Sequence, residues 1–417
     1  MTIRILAAVA SLFVLSHWVR AEDWPQWRGP NRDGVSKESG LLKEWPKDGP
    51  KLVWTAKELG GGYSTPSVAN GKIFLISSRG NDEFCQALDA KSGDKIWEAK
   101  VGPVGKNNGP QYPGSRATPT VDGDLLYALS SDGDLVCLET AKGAEKWRKN
   151  YKADFGGVMG NWAFSESPLV DGDLLIGSPG GKEATLVALK KKTGEVVWKS
   201  PIGDTAAYAS PIVIKVGDKK QYVQFLNNGV VGVDADTGKL SWRYDKTKDQ
   251  AANMMTPVYR DGFLFSAASR TGGGLIQLTA DDGKVTMKPV HFDKQFMAVS
   301  MGGAVLIGDY LYGTGGGRAD LACAEFKTGK EIWKDKCVGN SSICYADGCL
   351  YVRGHKDGTV VLVEASPEGY KEKGRFPQPE RSKMSAWPHP VVANGQLLLR
   401  DQGVVLCYDI KDSKSGK

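Results

Sequence analysis

The sequence predicts an all-β fold: an eight-bladed β-propeller of four-stranded antiparallel blades, closed by an N-terminal strand that completes the last blade. Three observations carry this reading. A unit of roughly 40–50 residues recurs along the chain, the length of a propeller blade. The units typically open on a small residue and proline and continue to an Asp-Gly or Asn-Gly turn. Most then close on a tryptophan at a fixed place.

The elements follow in chain order. Met1 to Arg4 is a short positive start, Ile5 to Ser16 is almost wholly apolar, and Val19-Arg20-Ala21 is a small-x-small site. This predicts an export signal peptide over residues 1–21, with an apolar run too short to span a bilayer. Residues 22–49 then form an N-terminal extension, 50–410 the propeller, and 411–417 a polar tail. The unit openings are Thr65-Pro66, Thr118-Pro119, Ser167-Pro168, Ser210-Pro211, Thr256-Pro257 and His389-Pro390. Looser copies begin near Gly302 and Ser342, which brings the count to eight. Turns such as Asn70-Gly71, Asp122-Gly123 and Asp261-Gly262 supply the positive φ that two-residue hairpin loops require.

The second half of a unit runs from a strand through a Gly-containing turn to a tryptophan strand. Examples are Leu88 to Gly93 before Trp97, Leu138 to Gly143 before Trp147, and Val233 to Gly238 before Trp242. The last unit, Pro390 to Ile410, has three strands only. Lys51-Leu52-Val53-Trp54, at the other end of the chain, supplies its fourth and leaves no free edge. One indole per blade, packed over the next glycine turn, is docking architecture on the outermost strand.

Composition agrees and excludes other classes. Over 417 residues there are 52 glycines and 12 tryptophans, with 41% hydrophobic residues. That is too apolar for disorder, and the glycines lack a collagen period. A net charge of +6, from 54 basic and 48 acidic residues well mixed, argues against nucleic acid. No later segment is long and apolar enough to cross a membrane, so the mature chain is expected to be soluble; with the signal peptide this predicts an exported protein, periplasmic or extracellular, and a monomer is expected. Seven cysteines include no adjacent pair, no haem-type Cys-x-x-Cys-His and no paired zinc pattern. Cys137, Cys323 and Cys407 share one repeat position with Ala87, Ala188 and Gly232, so a small buried strand residue is expected there.

In a propeller the innermost strand begins at the mouth of the central funnel. Three positions before proline, the units place Tyr63, Arg116, Ser165, Tyr208, Met254 and Trp387, with Met301 and Ser341 from the looser copies. Glu166 and His389 sit beside this ring, and the loop Gly160-Asn161-Trp162 leads into it. Two tyrosines, a tryptophan, an arginine and a carboxylate suit a flat anionic ring. Loops between the second and third strands carry Arg79, Lys182, Arg270, Arg318, Arg353, His355 and Arg400, mixed with acids. Those loops read either as an ordinary solvated rim or as a cationic one that selects an anionic ligand or acidic protein partner. Glu166 and Asn161 are oxygen ligands of the type calcium takes, but calcium needs six to eight, and no histidine cluster has zinc spacing.

The motif Ala-x-Asp-x-x-Thr-Gly-x-x-x-Trp, best seen at Ala90 to Trp97 and Ala235 to Trp242, resembles the repeat of the quinoprotein propellers. That group includes dehydrogenases that use pyrroloquinoline quinone (PQQ) and the BamB-like outer-membrane assembly factors. The segment Asp23-Trp24-Pro25-Gln26-Trp27-Arg28-Gly29-Pro30 resembles the leader of secreted bacterial PQQ-like propellers. The resemblance implies PQQ with calcium as the candidate cofactor, held in the funnel by the ring residues. It also implies an adjacent-cysteine disulfide, which this sequence lacks. Three readings follow, in order: a binding module acting through its funnel and top loops, a PQQ-dependent alcohol or polyol oxidoreductase, and a BamB-like assembly scaffold.

Overall fold

The computed structural model describes residues 22–106, 112, 114–297, 299, 301–315 and 320–413. The expected signal peptide, 1–21, and the end of the polar tail lie outside the described residues. Eight antiparallel four-stranded arrays follow one another in chain order. The first comprises Ser67–Ala69, Lys72–Arg79, Asp82–Asp89 and Lys95–Pro103, from the axis outward. The eighth joins Val391–Ala393, Gln396–Asp401 and Val404–Asp409 to Lys51–Ala56, whose Trp54 lies opposite Cys407. A strand from the other end of the chain thus closes the ring, as the repeat count predicts. One short helix, Tyr151–Phe155, capped by Asn150, links the second and third blades.

The tryptophans explain how the blades dock. Trp97 faces Ala87, Trp147 Cys137, Trp198 Ala188, Trp242 Gly232 and Trp333 Cys323 across the outer strand pairs, with a register slip at each. A small partner is required: a Cβ on Gly232 would come within 2.2 Å of the Trp242 ring. The indole then lies on the turn glycine of the next blade, Trp54 on Gly93, Trp97 on Gly143 and Trp198 on Gly238. At Gly93 φ is +79° and a Cβ would stand 2.6 Å from the ring, so only glycine permits the contact. Indole Nε1 atoms complete the latch by donating to Thr140, Lys191 and Ala235 carbonyls at 3.0 Å. The degenerate blades substitute other groups. His291 covers Gly329, and Trp45 from the N-terminal extension packs on Gly374 and on Phe376, with ring centroids 5.3 Å apart.

The extension reaches further than its sequence suggests. Trp24 exchanges two backbone hydrogen bonds with Val68 of the first blade, and Pro25 accepts from Val121 of the second. Arg32 donates to the Ser167, Pro168 and Pro211 carbonyls of the third and fourth blades at 2.6–2.8 Å. Trp27 Nε1 donates to Thr256 Oγ1 beside the fifth, and Arg28 to the Ala304 carbonyl of the sixth. Val35–Ser36 pairs in parallel with Tyr345 and Ala346 of the seventh, and Glu38 accepts from Gly395 of the eighth. A single segment therefore ties all eight blades at the axis and plugs the channel from one end.

Candidate functional site

Above the plug lies a cavity of about 290 Å³. Its wall includes Tyr63, Arg116, Ser165, Tyr208, Met254, Met301 and Trp387, seven of the eight positions three residues before the strand openings. Ser341, the eighth, is buried outside it. Trp27 is part of the wall, so the plug supplies an aromatic surface of its own. Its ring meets His389 edge-on at 4.7 Å.

The cavity is asymmetric. On one arc Trp387 packs against Tyr63 at 4.6 Å and Tyr112 at 4.7 Å; on the next, Trp162 packs against Tyr208 at 5.6 Å. Arg116 lies between these groups. It donates to the Tyr112 carbonyl at 2.7 Å and the Trp162 carbonyl at 2.9 Å, and its guanidinium stands 5.8 Å from the Tyr63 ring. Ala252, Met254 and Met301 form an apolar arc. The loop before Trp162 is held tightly: Tyr208 Oη accepts from Trp162 N, and a Cβ on Gly160 would stand 2.4 Å from that oxygen.

Electrostatically the wall is sparse. No carboxylate lies within ion-pairing distance of Arg116 among the described residues. Burial lowers its pKa, and the field of Glu83 is felt without contact. Burial also pushes the Tyr63 phenol up to about 12, and pulls His389, beside Arg28, down to about 3. Both are neutral at pH 7. His389 Nε2 faces the Met301 carbonyl at 2.8 Å and so carries the proton there. Trp162 Nε1 is buried without a hydrogen-bond partner among the described residues.

Other residues expected at the site stand elsewhere. Glu166 is 2% exposed and absent from the wall. Its Oε1 accepts from Tyr151 Oη at 2.5 Å and Ser178 N at 2.6 Å, and burial raises its pKa to about 7. Asn161 is exposed outside the cavity. Arg318 lies outside the described residues. Arg353 and Arg400, read as rim cations, are 0% exposed. Arg353 donates to the Pro388 and Arg400 carbonyls, and Arg400 to those of Ser64 and Ile76, so each pins its blade to the next.

This donor set bears on calcium and quinone. The described wall offers hydroxyls but no carboxylate, and no group of three or more His, Cys, Asp or Glu able to hold a metal occurs among the described residues. Calcium needs six to eight oxygens with carboxylates among them. The residues present do not fit a calcium-bound quinone.

Eight repeated blades around an axis crossed by the N-terminal extension, with an aromatic cavity above it, define an eight-bladed propeller. The family model for outer membrane protein assembly factor BamB matches residues 34–161. BamB of Moranella endobia is 26% identical over 50% of this chain and 53% of its own length. The chain thus spans about half the length of that relative. BamB from Moraxella catarrhalis shares the fold at TM-score 0.59 and 16% identity, covering 86% of this chain and 97% of that one. Quinohemoprotein alcohol dehydrogenase from Comamonas testosteroni does so at 0.64 and 14%, covering 94% and 80%. The chain is an eight-bladed repeat propeller, similar in fold and in part of its sequence to BamB.

Proposed function

We propose that the protein is an exported binding module that holds a negatively charged small molecule in its axial cavity. One observation carries the reading: Arg116 faces the cavity with no acidic partner among the described residues. A half-buried guanidinium without a counter-ion has lost part of its hydration, and an incoming anion offsets that loss. The plug makes the cavity blind, which suits retention of a ligand better than passage through a channel. No helix among the described residues is long and apolar enough to cross a membrane.

Isothermal calorimetry on the chain without residues 1–21, against a panel of aromatic and aliphatic anions, tests the reading. PQQ with calcium belongs in that panel, alongside dye-linked alcohol oxidation. Saturable binding of an anion that Arg116→Gln weakens is the expected result. If no anion binds, the reading fails; turnover with PQQ and calcium would replace it with an oxidoreductase.

A second reading is favoured by the BamB family match over residues 34–161. The propeller would then seat a protein partner, as an assembly factor does. Arg116→Gln would leave that partner's binding unchanged, since the cavity is too small for a folded chain.

A further inference from the structure

The charge count and shape of the cavity say more about its ligand. Among the described wall residues Arg116 is the single guanidinium or ammonium. The Tyr63 phenol and the His389 imidazole on the same wall are neutral at pH 7. One uncompensated cation matches one carboxylate; a second carboxylate would lose water with nothing to meet it. Arg116 spends two of its five N–H donors on the Tyr112 and Trp162 carbonyls, leaving a face for an incoming acid.

The apolar part is equally specific. Trp387 with Tyr63, and Trp162 with Tyr208, present ring surfaces on either side of Arg116. Such surfaces favour offset or edge-on contact with another aromatic ring. A volume of about 290 Å³ is at the low end for ligand sites, enough for one or two fused rings.

We infer that the cavity takes a flat aromatic monocarboxylate of one or two rings, its carboxylate on Arg116 and its ring between the Trp387–Tyr63 and Trp162–Tyr208 pairs. This rests on the reading of the cavity as an anion site and narrows it to one chemical class. It is a different ligand from a tricarboxylate quinone, for which the described wall lacks cations.

Calorimetry with 2-naphthoate, 2-naphthamide, 2,6-naphthalenedicarboxylate, citrate and acetate separates the possibilities. The monocarboxylate should bind at least about 10-fold more tightly than its neutral amide, the value of a charge-assisted hydrogen bond. It should exceed the dicarboxylate by a similar factor, and citrate and acetate by more. Arg116→Gln should weaken 2-naphthoate by about 10- to 100-fold and leave 2-naphthamide unchanged. Arg116→Lys, which keeps the charge, should recover part of the loss. If Arg116→Gln does not fold, acid-over-amide discrimination in the unaltered protein still decides. Citrate or PQQ binding without 2-naphthoate overturns the ligand class while the anion site stands. Equal binding of acid and amide overturns the role of Arg116, and failure of every probe removes both this inference and the reading beneath it.

Discussion

Arg32 donates from Nη1 to the carbonyl of Pro211 at 2.6 Å, across 179 positions of sequence. Its other terminal nitrogen serves Ser167 and Pro168, so one guanidinium spans two blades. Only 3% exposed, it has no carboxylate in contact among the described residues; three backbone oxygens and the Gln26 side-chain oxygen satisfy it instead. Arg32→Ala would leave three inner carbonyls without that donor. The expected loss is about 3 kcal/mol, within the range for breaking a buried hydrogen-bonded network. A fall in urea midpoint with unchanged far-ultraviolet circular dichroism would register it. An unchanged midpoint would mean that the plug is not part of the cooperative unit.

Gly303 tests the same plug from the ring side. Its φ is +68°, and a Cβ there would stand 2.1 Å from Arg28 Nη1. Arg28 cannot swing aside cheaply, being 2% exposed and bonded to the Asp33 and Ala304 carbonyls. Gly303→Ala should therefore cost about 2–4 kcal/mol, from the left-handed backbone and the clash together. In an Arg28→Ala background the clash disappears and the cost should fall by at least about 1 kcal/mol. A double-mutant cycle measures that coupling, and strict additivity would refute it.

Much of this architecture was legible because the backbone fixes which residues can occupy repeat positions. A hairpin turn needs positive φ, and a docking indole needs a small residue opposite and a glycine beyond it. The wall was legible for the same reason: Tyr63, Arg116, Tyr208 and Trp387 hold one position in the repeat. Glu166 misled because neighbouring residues at a strand opening face opposite ways. Ser165 takes the cavity side and Glu166 turns to Tyr151. Arg353 and Arg400 sit near loops and read as solvated, yet their partners are carbonyls from distant segments. Trp27, Arg28 and Arg32 belong to no repeat, and every partner that buries them from another blade lies over a hundred residues away. Their density of tryptophan, arginine and glycine was the one local sign.

Glu83 gives a pH dependence with a definite sign. It is 0% exposed, and burial raises its carboxyl from the ordinary 4.5 to about 7, although Ser131 N donates to Oε2 at 2.8 Å. A raised carboxyl pKa means that the folded chain holds the proton more tightly. Its stabilising effect is then complete below pH 4.5 and is lost as pH rises through 7. The full swing is on the order of 3 kcal/mol. Glu83→Gln mimics the protonated form at every pH. Relative to the unaltered protein it should gain stability steadily between pH 4.5 and 7.5, followed as the difference in urea midpoint. A constant difference across that range would show that Glu83 stays ionised.

Gly160 separates the cavity from the scaffold. Gly160 approaches Tyr208 so closely that a Cβ would come within 2.4 Å of the phenol oxygen. Its backbone is not in the left-handed region, so alanine there is unstrained apart from this contact. Tyr208 is half-buried and borders open space, so it can move away, and the space available is the cavity itself. Gly160→Ala should therefore cost little stability, about 1 kcal/mol or less. Displacing the phenol also breaks its bond from Trp162 N, which disturbs the loop whose carbonyl holds Arg116. Anion affinity should consequently fall by about 10-fold, the loss expected for one misplaced hydrogen-bonding group. A matched pair of measurements, thermal unfolding and calorimetric titration, decides the matter. Loss of both in proportion would make Gly160 a folding residue, whereas loss of binding alone would show that Tyr208 and Arg116 are set in place by the same loop.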